Sequence, residues 1–233
     1  MAHAHAQPKR LTSVFALIPI VMMSVFLTWT LPRSNADAAV LTTMSHGHQA
    51  DLSKPAQQTF HDQMRKLWED HATWTRLAIV TFADGSPSFS ATADRLLRNQ
   101  VDIGNAIKPY FGAAAGTQLT ALLHDHITIA VEILQAAKAG DTAAFTEANT
   151  RWYANGNDIA DFLSKANPRY WPSSMTRPDM KTHLDQTLAE AAHELGGDYV
   201  ASVADYDEVH AHLLVMGDML SDGIVAKFPS RFH

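Results

Sequence analysis

From Pro55 onward, apolar residues return every three or four positions, and no stretch alternates residue by residue as a half-buried strand would. Phe60, Met64, Leu67, His71, Trp74 and Ala78 form the first stripe, which predicts a helix from Pro55 to about Ala83, where Asp84-Gly85-Ser86-Pro87 breaks it. Leu96, Ile103, Ile107 and Tyr110 predict a second helix, about Phe89 to Phe111, ended by Pro109 and Gly112. Leu119, Leu122, Leu123, Ile127, Val131 and Leu134 predict a third, about Ala114 to Ala139. Asp141 or Thr142 caps a fourth, reaching about Ala166 with Phe145, Trp152, Ile159 and Phe162 inward. After a packed loop, Asn167 to Ser174, a fifth runs from about Arg177 to Leu195 and stops at Gly196-Gly197. The sixth, about Asp198 to Lys227, turns Val203, Tyr206, His210, Leu213, Gly217, Leu220 and Ile224 inward. Short links between long helices predict an all-α, antiparallel up-down bundle of about six helices, and no linker divides residues 55–233 into two domains.

The first 54 residues break this pattern. Lys9 and Arg10 precede an apolar run from Leu11 to Leu31, and Ala36-Asp37-Ala38 offers a small-x-small cleavage site. Residues 1–38 are therefore expected to be a signal peptide, with an uncleaved membrane anchor as the competing reading. Either places the bundle outside the cytoplasm and limits membrane contact to this segment. Residues 39–54 are polar, lack periodicity and are expected to be a flexible tail.

Polar residues on the helical stripes carry the functional signal. One phrase occurs twice: Asn99 to Asn105 reads NQVDIGN, and Asn155 to Asp161 reads NGNDIAD. Asn99 and Asp102, like Asn155 and Asp158, stand three apart and are expected to share a helix face. His124 follows the first phrase and His183 the second, which suggests a duplicated helix pair carrying Asp and His. His71 and His210 fall on the stripes of the first and last helices. A metal centre inside a bundle needs this kind of set, so the expected ligands are His71, Asp102, His124, Asp158, His183 and His210. Asn99, Asn155, Trp152, Tyr206 and Asp207 would orient them. Imidazole and carboxylate suit zinc, iron, manganese or copper(II) without choosing among them.

Composition removes whole classes of chemistry. The chain has no cysteine, so disulfides, thiolate catalysis and Cys-held zinc are excluded. A net charge of −6 gives no support to nucleic acid as a partner. No phosphate-binding glycine loop, G-x-S-x-G elbow or H-E-x-x-H is present. The expected partner is thus a metal ion or small molecule. Two other readings use the same residues: a non-catalytic structural or interaction protein whose buried polar network fixes helix register, and a metal-dependent enzyme.

The segments LWEDHATWTR (Leu67 to Arg76), RLLRNQVDIGNAIKPYFG (Arg95 to Gly112), LTALLHDHI (Leu119 to Ile127) and DMLSDGIVAKFP (Asp218 to Pro229) resemble an uncharacterised family of secreted bacterial helical proteins. Proteins that look like this often carry the labels glycosyltransferase or acetylglutamate kinase. An all-helical chain without a phosphate loop lacks the α/β architecture those activities use. The resemblance implies a helical fold and secretion, and it implies no active residues.

Overall fold

The computed structural model describes residues 55–232; the expected signal or anchor segment, the 39–54 stretch and His233 lie outside them. Six helices fill the described chain: α1 Pro55–Ala83, α2 Phe89–Phe111, α3 Ala113–Ala139, α4 Thr142–Ala166, α5 Ser173–Gly196 and α6 Tyr199–Lys227. A 3₁₀ turn, Pro229–Arg231, follows. Among the described residues there is no strand, and no helix is long and apolar enough to cross a membrane. The fold is the all-α bundle that the periodicity predicts.

One boundary moves. α5 begins at Ser173 rather than near Arg177. Pro178 lies only six residues into the helix, where its missing N–H removes a single bond. The first turn is held by the Thr176 hydroxyl, which donates to the Ala160 carbonyl on α4 (3.1 Å).

Two turns share one device. Gly140 and Gly197 take left-handed φ values of 70° and 78° to close α3 and α5. The next residue caps the following helix: Asp141 accepts from Ala144 N (3.0 Å) and Asp198 from Ala201 N (3.1 Å).

Each helix packs on its neighbours in sequence, α6 closes the ring against α1, and α1 also reaches α3 and α5 across the middle. In the α1/α2 and α5/α6 pairs the contacts run in opposite order along the two helices. Phe60 meets Tyr110 at one end of the α1/α2 pair and Thr81 meets Thr92 at the other. Likewise Asp179 meets His212, and Glu194 meets Ser202, along α5/α6. α2 and α3 cross at two glycines: a Cβ on Gly104 would stand 1.9 Å from Thr120 Oγ1 and 2.7 Å from the Gly116 carbonyl oxygen. Only glycine lets the two backbones approach so closely.

The core is zoned along the bundle axis. At one end, Phe60, Tyr110, Phe111, Trp171, Phe228 and Phe232 form a continuous aromatic cluster. At the other, Ile79, Leu134 and Ala191 pack with Phe82 and Leu195. The buried histidines lie between these zones.

Candidate functional site

Three histidines, each 3% exposed, meet in the interior: His71 on α1, His126 on α3 and His183 on α5. The His183 ring lies 5.8 Å from that of His71 and 5.9 Å from that of His126, centre to centre. All three line a partly open cavity of about 50 Å³ with Thr75, Thr187, Trp152 and a ring of aliphatic side chains. That volume holds a few water-sized groups.

The hydrogen bonds settle two ring orientations. Asn155 donates its amide to the Leu122 carbonyl (3.0 Å), so its oxygen accepts from His126 Nδ1–H (3.0 Å). The Thr187 hydroxyl donates to the His183 carbonyl (2.8 Å), leaving its oxygen to accept from His183 Nδ1–H (3.4 Å). A neutral imidazole protonated at Nδ1 keeps its lone pair at Nε2. His71 is held by Gln100, whose Nε2 is 3.3 Å from Nδ1, and by Asn99, which donates to the Leu67 carbonyl (3.0 Å). Trp152 stacks on His126 with ring centres 5.1 Å apart and donates Nε1–H to the His126 carbonyl (3.1 Å).

Electrostatics keep these rings uncharged. Burial, then repulsion from His126, pulls His71 down to about 3, and burial pulls His126 down to about 4. Burial also holds His183 well below its ordinary value, with His71 and His126 adding to the effect. At neutral pH the chamber therefore presents uncharged imidazoles in mostly apolar surroundings. Thr75 Oγ1 and Gln100 Oε1 are buried without a hydrogen-bond partner among the described residues.

The three histidines occupy related positions in three successive helix pairs. In each pair, a side chain on the second helix donates to the carbonyl four residues before the histidine. Asn99 serves Leu67, Asn155 serves Leu122 and His212 serves Asp179, each at 3.0 Å. Asn99, Asn155 and Trp152, expected in positioning roles, touch the buried histidines. Two of the expected ligands, His71 and His183, are in the chamber.

The other expected ligands are elsewhere, each for a local reason. Leu96, Asn99, Ile103 and Ile107 define the buried arc of α2, and Trp152, Asn155, Ile159 and Leu163 that of α4. A residue three after the asparagine falls roughly 105° from the centre of that arc, at its exposed rim. Asp158 is accordingly exposed, and Asp102 lines a surface groove with Lys66, Arg95 and Arg98. His124 is 54% exposed beside Asp125, because the buried stripe of α3 runs Leu119, Leu123, His126, Ile133. His210 pairs with Glu69 at the α1/α6 surface (2.9 Å). Asp207 is exposed, and Tyr206 packs over the Arg76 guanidinium (5.8 Å). His126 was missed. The spacing 119, 123, 126, 130, 133 marks it, as does its 29-residue separation from Asn155, the separation between His71 and Gln100.

Among the described residues, no three His, Asp or Glu side chains stand, as placed, close enough to enclose a metal ion. No protein-family model matches the chain, and no match is found among curated proteins or solved structures.

Proposed function

We propose that this is an exported helical-bundle protein that binds a small ligand or a divalent metal ion in the chamber lined by His71, His126 and His183. The observation carrying this reading is that three buried, uncharged imidazoles border one internal cavity, and two of them keep an Nε2 lone pair. The chamber's size and apolar walls favour a compact, uncharged molecule of a few heavy atoms. The free lone pairs favour a metal of borderline softness, once the rings close in from their 5.8 and 5.9 Å separations. Export rests on the basic flank, the apolar run and the small-residue site of residues 1–38.

Protein purified without a His-tag is titrated with zinc or cobalt by calorimetry, and separately equilibrated with xenon. One site per chain for either class of ligand is expected. The zinc or cobalt site is lost in His126→Ala and His183→Ala and kept in His124→Ala, whereas xenon, held by the apolar walls, still binds in the enlarged chamber of the alanine variants. Metal binding that survives both chamber variants, or a wild type that takes up neither ligand, contradicts the proposal.

A second reading has its own observation. The thrice-repeated bond to a helix carbonyl is what a network that only fixes helix register would show. That reading predicts loss of stability in the chamber variants, with no ligand of either class bound by the wild type.

A further inference from the structure

Outside the chamber, the most unusual polar cluster lies where α1, α5 and α6 meet. Glu190 and Glu194, one turn apart on α5, are 1% and 5% exposed. A single guanidinium serves both: Arg76 Nη1 is 3.2 Å from Glu190 Oε1, and Nη2 is 3.0 Å from Glu194 Oε2. Arg76 also donates to the Ser202 hydroxyl (2.5 Å), which donates onward to Glu194 Oε2 (2.6 Å). Glu190 Oε2 is buried with no partner among the described residues.

Two carboxylates and one guanidinium leave one excess negative charge in a place shielded from water. An ionised Glu190 would strand that charge on an oxygen with no donor. A protonated one removes it. The surroundings push the same way: burial raises Glu190 to about 7, Arg76 opposes, and Asp205 and Glu194 add to the rise. The other groups at this seam are His193, paired with Asp205 (2.5 Å), and Tyr206 over Arg76.

The start of α6 depends heavily on this seam. Between Tyr199 and Glu208 the only buried residue is Ser202, the one that touches Arg76 and Glu194. Tyr199, Val200 and Val203 are 58%, 85% and 52% exposed, so apolar burial contributes little to holding these turns.

We propose that the Glu190–Glu194 pair is a one-proton site that seats the first turns of α6 on α1 and α5, and that loss of this proton frees them. The site takes a proton, with Arg76 and Ser202 as its fixed partners, and it stands apart from the histidine chamber.

Hydrogen exchange read by mass spectrometry over residues 199–208, at pH 6.0 and 8.5 and corrected for the intrinsic rate, tests this. Opening in the wild type should rise about tenfold at the higher pH, since the rise is confined to the one pH unit between 6.0 and the midpoint near 7. Glu190→Gln, a neutral mimic of the protonated side chain, should make the opening independent of pH. Equal opening at both pH values in the wild type, or an unchanged pH dependence in Glu190→Gln, overturns the proposal. Carboxyl-carbon NMR of the wild-type protein supplies a readout that needs no variant. One glutamate should titrate near neutrality, and titration of every glutamate below pH 5.5 overturns the proposal equally.

Discussion

Asn155 shows how much one side chain does here. Its amide reaches the Leu122 carbonyl, and its oxygen orients His126, while the residue itself is nearly buried. Asn155→Ala strands a buried imidazole N–H, so chemical denaturation should report a loss of about 1–3 kcal/mol. Asn155→Asp keeps an oxygen for His126 but faces the Leu122 carbonyl with an acceptor, and should recover little. At this scale the sequence was half legible. Asn-x-x-Asp-Ile correctly marked Asn99 and Asn155 as inward residues, because Ile103 and Ile159 share their arc. The aspartates were misplaced, since three residues of helix carry a side chain to the rim of that arc. His126 and His124 are separated by two residues, and choosing between them required knowing where the centre of the α3 stripe lies.

At the scale of elements, the helices were readable and their mutual approach was not. Periodicity and caps located all six, missing only the first turn of α5, where the loop before it and Pro178 hid the start. Gly104 looked like an ordinary small residue in a helix, yet it sets the α2/α3 crossing against Gly116 and Thr120. Gly104→Ala must push Thr120 and the Gly116 carbonyl aside, and thermal melts should show about 1–3 kcal/mol of destabilisation despite alanine's better helix propensity. Gly140→Ala has open space around its side chain, so its cost should come from the left-handed backbone alone, about 1–2 kcal/mol. The pairing of elements also differs from the one expected from sequence. Each Asn phrase was expected to serve a histidine further on, whereas Asn99 and Asn155 serve His71 and His126, which precede them.

For the whole molecule, burial of three uncharged imidazoles makes stability depend on pH. Their folded pKa values are depressed, so their contribution is present above about 6.5 and is lost as pH falls toward 3–4. Glu190 acts oppositely: its raised value stabilises the fold most below its unfolded pKa of 4.5, and that contribution is lost as pH rises toward 7. Three histidines outweigh one glutamate between pH 6 and 4.5. Urea denaturation should therefore show stability levelling off above about pH 7, with a steep loss on acidification. His183→Gln should shallow that acid limb by about one proton.

The central claim is that the chamber receives a ligand through the Nε2 atoms of His126 and His183. Long-range proton–nitrogen NMR of ¹⁵N-histidine protein reads those atoms directly. The starting spectrum should show Nδ1-protonated rings for both residues. Adding zinc, or equilibrating with xenon, should shift the Nε2 signals of His126 and His183 while leaving exposed His124 unchanged. If neither ligand moves the chamber resonances, and only surface histidines respond, the claim is contradicted.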